Sequence, residues 1–158
     1  MSNNIYLSLT DDAEPPQWFD IKKTQNFLNT LLKTCSYDNW ELSVLFCSND
    51  FIQNLNKQYR NLNEPTDVLS FSQIETNNED FAKAKSELPF VAGDIVLSFE
   101  TLGKNAKVFN VPEKEEFLRL LIHGVLHLSG YDHQTNETSE PMLQLQEKLL
   151  NEVANEYI

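Results

Sequence analysis

Apolar residues recur along this chain in two rhythms, an alternation suited to strands and a three-to-four spacing suited to helices. Residues 4–9 (NIYLSL) alternate and predict a strand. A polar loop containing two prolines (DDAEPP) follows. Trp18, Ile21, Phe27, Leu28, Leu31 and Leu32 then fall near helical spacing and predict a helix over roughly 18–34. Residues 41–47 (ELSVLFC) read as a second strand. Ser48 or Asn49 is placed to cap a helix over about 50–60, which carries Phe51, Leu55 and Tyr59 on one side and ends near Arg60.

The stretch NLNEPTDVLSFSQ passes through a proline-containing turn into a third strand, 67–73, and the polar run 76–88 reads as a loop. GDIVLS, 93–98, gives a fourth strand, and Ser98 or Thr101 starts a short helix to about 108. Pro112 suits the first turn of the next helix, where Glu113, Glu115 and Glu116 complement the helix dipole. That helix runs to about 128, with Gly130 as its C-terminal cap. A last helix begins near Ser139 and aligns Met142, Leu145, Leu149 and Val153. Four strands and about five helices predict an α+β single domain, a four-stranded mixed sheet packed against helices.

The size agrees. A chain of 158 residues fits one domain and buries roughly 70% of its unfolded surface. No run approaches the roughly eighteen apolar residues of a membrane helix. The segment MSNNIYLSLTDDAEPP lacks both a basic start and a long apolar core, so no signal peptide is predicted. Cys35 and Cys47 are isolated in sequence and read as reduced, buried small hydrophobes, which makes the expected setting cytoplasmic. The net charge of −12 argues against coating nucleic acid through a broad basic surface. It leaves room for an enzyme with a small local cationic site.

Every histidine of the chain lies in HGVLHLSGYDH, residues 123–133. Residues four apart on a helix share a face, so His123 and His127 project together. Gly130 lets the chain leave the helix through a backbone conformation most residues avoid, which swings His133 back toward the first two. Three neutral imidazoles suit one divalent ion, zinc above all, and leave a coordination position open. The plain alternative is a set of unrelated polar residues on an apolar helix. Phe117, Leu118, Leu121, Ile122, Val125 and Leu126 make that helix a buried one, however, and adjacent imidazoles there need a partner. No cysteine pair lies near to close the site, so a catalytic ion is favoured over a structural one.

The spacing equals that of the metzincin proteases, HExxHxxGxxH, with one departure. Their general-base glutamate, directly after the first histidine, is Gly124 here. Zinc peptide hydrolysis relies on that carboxylate, so the peptidase reading loses its central part.

HGVLHLSGYDH also reproduces the signature of a known family, the YbeY metal-dependent endoribonucleases or rRNA maturation factors. LNKQYRNLNEPTDVLSFS (55–72) resembles that family's second motif and GDIVLS (93–98) its third. The resemblance covers about 45–150, while residues 1–44 match only in their strand-helix-strand pattern. It implies a four-stranded mixed sheet, one zinc ion on His123, His127 and His133, and Arg60 as an arginine facing the metal cavity. It further implies work on ribosomal RNA, at the 3′ end of the 16S species, and in ribosome quality control, with the ribosome or its proteins as partners.

Read alone, Arg60 is a surface arginine complementing a helix end. With the resemblance it becomes a phosphate ligand, since a guanidinium stays charged and grips phosphate with two prongs. Lys57, one turn earlier, reads as solvated. Asp132 is a possible base or orienting group, Asp67 a turn residue and Met142 a core residue; none receives a catalytic role. The reading is therefore a zinc-dependent endoribonuclease in rRNA processing. Its competitors are a metallopeptidase and a non-catalytic ribosome-assembly factor with a structural metal.

Overall fold

The computed structural model describes residues 3–64, 66, 68–72, 90–133 and 135–157. Strand β1 (Asn4–Leu9) pairs in parallel with β2 (Trp40–Cys47), and β2 in parallel with β4 (Phe90–Ser98). The short β3 (Val68–Ser72) runs antiparallel to β4, giving a mixed sheet of order β1-β2-β4-β3. Five α-helices accompany it among the described residues: α1 (Ile21–Thr34), α2 (Asn49–Arg60), α3 (Phe99–Phe109), α4 (Glu113–Leu128) and α5 (Pro141–Val153). A single 3-10 turn, Ala154–Glu156, follows. The α+β expectation holds. Among the described residues no helix is long and apolar enough to cross a membrane.

Boundaries differ where caps decide them. Helix α1 begins at Ile21 rather than 18, because the Asp20 carboxylate accepts the Lys23 N–H at 2.9 Å and ends the preceding turn there. Trp18 still joins the core from that turn, edge-on to Phe117 at 5.2 Å between ring centroids. Ser48 caps α2 and Ser98 caps α3, each accepting an N–H three residues on. Asn49 instead accepts from the Ser98 and Thr101 hydroxyls, tying the starts of α2 and α3 together. Pro112 is the N-cap of α4 rather than its first helical residue. Helix α5 starts at Pro141, whose fixed φ suits a first turn. Strand β4 begins three residues before the glycine expected to open it. The loop predicted over 76–88 lies outside the described residues.

The sheet is buried on one face and partly covered on the other. Leu42, Val44, Phe46, Ile95 and Leu97 belong to the main core, with Phe27, Leu28, Leu31 and Leu32 of α1 and Leu118, Leu121, Ile122 and Val125 of α4. Each such side chain contributes about 1.5–3 kcal/mol through burial. On the outer face Ile52 of α2 packs with Cys47, Leu69 and Val96 in a smaller cluster. Both cysteines are free; Cys47 is buried, but Cys35 is only half-buried, short of the full burial expected. Burial still pushes the two thiols up, to about 11 for Cys35 and about 12 for Cys47, which keeps them unreactive at neutral pH.

Gly93 marks the tightest point of the sheet. Its φ is +139°, next to a register shift at Glu41/Leu42 on β2. A Cβ there would sit 2.1 Å from the Phe71 carbonyl oxygen, which is backbone and has no rotamer to retreat into. Gly93→Ala should therefore cost at least about 3 kcal/mol, from backbone strain together with the clash. Urea unfolding of the variant reads this directly; a loss below about 1 kcal/mol would mean the strand relaxes.

Candidate metal centre

Helix α4 is apolar nearly all round and buried along most of its length, so its sequence commits it to the core. Its C-terminal end turns on Gly130, at φ +105°. There the Gly130 N–H donates to the His127 carbonyl at 3.1 Å and the Tyr131 N–H to the Leu126 carbonyl at 3.0 Å. This is a Schellman motif: Ser129 is the C-cap and Gly130 stands one residue past it, where such a terminus favours glycine. It reverses the chain so that His133 returns to the end of the helix. The Asp132 carboxylate takes the His133 backbone N–H at 2.8 Å and so shapes this return rather than joining the ring cluster.

The three imidazoles converge. Ring centroids lie 4.6 Å apart for His123–His127, 5.2 Å for His123–His133 and 5.5 Å for His127–His133. One nitrogen from each falls within 4.8 Å of the other two. All three rings are half-buried, at the open end of a buried helix, rather than enclosed as the apolar sequence suggested.

Hydrogen bonds settle which nitrogen each ring presents. His123 Nδ1 donates to Gln146 Oε1 at 2.7 Å, His127 Nδ1 to the Tyr131 carbonyl at 3.1 Å and His133 Nδ1 to the Thr135 carbonyl at 2.8 Å. Carbonyl oxygens only accept, so each Nδ1 carries the proton and each Nε2 carries a bare lone pair. Yet Nε2 of His123 and Nε2 of His127 stand 3.0 Å apart. Two lone pairs at that distance repel unless a cation lies against them. The donor set fits a divalent metal of the zinc type: neutral imidazoles, outer nitrogens anchored, inner ones facing a common point. The His127 pKa is lowered by burial first and then by the charges of His123 and His133, so its neutral, ligating form persists to lower pH than in free histidine.

Gln146 escaped the sequence reading. It is 6% exposed and lies on the buried stripe of α5 with Met142, Leu149, Leu150 and Val153. Its amide is held by Glu147 Oε2, which accepts Nε2–H at 3.2 Å, and Glu147 is gripped in turn by Arg119 from α4 at 2.8 and 2.9 Å. The available signal was a lone amide on an apolar stripe, since a buried amide requires a partner. Replacing Gln146 with leucine roughly preserves the volume and removes the acceptor that orients the His123 ring. We expect a roughly 10- to 100-fold loss of zinc affinity, measured by competition with a chromophoric chelator, with the fold kept. Unchanged affinity would remove Gln146 from the site.

The remaining candidates separate. Met142 is buried in the core, as its stripe predicted. Arg60 is the last residue of α2 and exposed, and no hydrogen bond or ion pair joins it to the histidines or to another described residue. Lys57 is exposed on the same helix. Asp67 lies outside the described residues. Gly124 faces β4 so closely that an added Cβ would meet Ile95 Cδ1 at 2.8 Å and Cγ1 at 3.0 Å. A side chain there would have to displace Ile95, and the chain carries no general-base carboxylate at the metzincin position.

Residues 11–154 match the family described as endoribonuclease YbeY. This chain belongs to the YbeY family. A YbeY endoribonuclease from Treponema denticola is 46% identical over 155 residues, covering 98% of this chain and 96% of that protein. Another, from Borreliella burgdorferi, is 48% identical over 130 residues, 80% of this chain and 83% of that one. The solution structure of TM1509 from Thermotoga maritima shares 31% identity at a TM-score of 0.64, covering 97% of this chain and 91% of that one. The YbeY likeness thus extends well before residue 45, where the motifs alone had placed its start.

Proposed function

We propose that this chain is a zinc-dependent, single-strand endoribonuclease of ribosomal RNA processing, acting in maturation of the 16S 3′ end and in ribosome quality control. It works as a single domain, in the cytoplasm, on ribosomal RNA and beside the ribosome or its proteins. One observation carries the catalytic part: one nitrogen from each of the three imidazoles converges while every Nδ1 has a hydrogen-bond partner. The YbeY relatives supply the substrate class.

A divalent ion on His123, His127 and His133 supplies a Lewis acid for a phosphoryl oxygen. The protein's own groups do the rest. The histidines are oriented through Gln146 and the Tyr131 and Thr135 carbonyls. Arg60, with no described partner to hold it, is available to bind the scissile phosphate with two N–H groups and to stabilise its developing charge. The half-exposed setting of the rings leaves room for substrate, as a closed structural site would not.

A chelation experiment tests this reading. Stripping the metal should stop cleavage of a defined single-stranded RNA while circular dichroism keeps its folded signature, and added zinc should restore turnover. Wholesale unfolding on chelation would instead favour a structural ion.

A further inference from the structure

The three histidines are not oriented alike. His127 and His133 each meet a backbone carbonyl, of Tyr131 and of Thr135, and a carbonyl can only accept, so Nδ1 of each ring must carry the proton. The Thr135 turn is itself pinned by Glu140, whose Oε1 takes the Thr135 N–H at 3.2 Å and its hydroxyl at 3.1 Å. His123 meets a side-chain amide instead. A glutamine presents a carbonyl on one side and an NH2 on the other, and a half-turn about its last torsion exchanges them. With the carbonyl toward Nδ1, His123 holds its proton there and Nε2 keeps the lone pair that a metal needs. With the NH2 toward Nδ1, the proton passes to Nε2 and the ring ceases to be a ligand. The 3.0 Å separation of His123 Nε2 from His127 Nε2 favours that second state in the absence of a cation, because a reversed His123 would donate across it. Gln146 is buried, so bulk water does not choose between the two.

Glu147 makes the choice. Its Oε2 lies 3.2 Å from Gln146 Nε2, and an ionised carboxylate offers acceptors alone. Reversing the amide would set a buried carbonyl against that carboxylate, two acceptors facing each other with no proton between them. Arg119 holds the carboxylate in place, donating to it from Nε at 2.8 Å and from Nη2 at 2.9 Å in a side-on pair. Burial pushes the Glu147 carboxyl up, but the hydrogen bonds from Arg119 and Gln146 outweigh it and hold it below its usual range. Arg119 is anchored in turn by the buried Glu116 at 2.9 Å. Each link has one direction: guanidinium and amide N–H donate to the carboxylate, and the imidazole N–H donates to the amide carbonyl.

We propose that Glu147, clamped by Arg119, is a positioning residue of the metal centre, fixing which side of the Gln146 amide faces His123 and so which nitrogen His123 offers. The inference rests on the reading of the histidines as metal ligands, and concerns the direction of the Gln146 amide rather than its presence.

The test compares wild type, Glu147→Gln, Gln146→Leu and the double variant. The Glu147 side chain is 46% exposed and glutamine is isosteric with it, so melting temperatures should confirm that the fold is kept. Zinc affinity, read by competition with a chromophoric chelator, should fall about 10-fold in Glu147→Gln, where the neighbouring amide is free to reverse. In the Gln146→Leu background the same change should cost nothing further, because its effect runs through the Gln146 amide. Arg119→Lys, which keeps the charge and loses the side-on pair, should fall between wild type and Glu147→Gln. Heteronuclear NMR of the imidazole nitrogens in zinc-free protein should show the His123 proton moving from Nδ1 toward Nε2 in Glu147→Gln, with His127 and His133 unchanged. Wild-type zinc affinity and an unmoved His123 proton in Glu147→Gln would overturn the proposal. So would an equal loss of affinity in the Gln146→Leu background, which would make Glu147 a residue of general packing between α4 and α5. If wild type bound no zinc, the metal reading would fall, while the zinc-free spectra would still decide what Glu147 does to His123.

Discussion

His127→Ala should leave the protein folded, without metal, and inactive toward RNA. His127 supplies one of three converging nitrogens and sits 3.0 Å from the next. Two imidazoles do not hold zinc tightly against competing buffer ligands, because structural and catalytic sites alike rely on three or four. Loss of the ion removes several kcal/mol of transition-state charge stabilisation. At about 4 kcal/mol that is roughly 1,000-fold in rate, and larger if more of the chemistry depends on the ion. The ring is half-buried and its removal opens space toward solvent rather than in the core, so stability should fall by no more than about 1–2 kcal/mol. Elemental analysis and RNA turnover on one preparation read both effects. Full zinc content in the variant would remove His127 from the ligand set.

Arg60→Ala carries the second large effect and the greater risk. If Arg60 holds the scissile phosphate, turnover should fall about 30- to 1,000-fold, the equivalent of about 2–4 kcal/mol of lost charge stabilisation. Zinc content and melting temperature should stay near wild type, because the side chain is exposed and has no described partner to abandon. Arg60→Lys should recover only part of the rate, since an ammonium keeps the charge and loses the planar fork. The competing view, an arginine that only complements the end of α2, predicts unchanged turnover and a stability change below about 1 kcal/mol. Wild-type turnover in Arg60→Ala would leave the metal as the sole assigned catalytic element.

The metal centre was legible because its geometry is local. A four-residue spacing on one helix and a glycine three positions beyond determine where three rings meet, and Gly130 at φ +105° carries out that turn. The strand pattern was legible for the same reason, as with the alternation in NIYLSL and ELSVLFC. Gln146 was not, because its role depends on α5 lying against α4, a tertiary fact between partners 23 positions apart. Glu147 was hidden more deeply, since it reaches His123 only through the amide of Gln146. The start of α1 was misplaced because Trp18 satisfies the helical spacing while Asp20 supplies the cap that places it outside. Gly124 was read for the chemistry it lacks; the structure adds that Ile95 packs against it.

The most direct measurement of the central claim is turnover of one defined single-stranded RNA as zinc is titrated into metal-free protein. The account predicts that turnover rises in proportion to bound zinc and levels off at about one ion per chain, while His127→Ala stays at the background rate throughout. Turnover that is independent of bound zinc, or that His127→Ala retains, would contradict it.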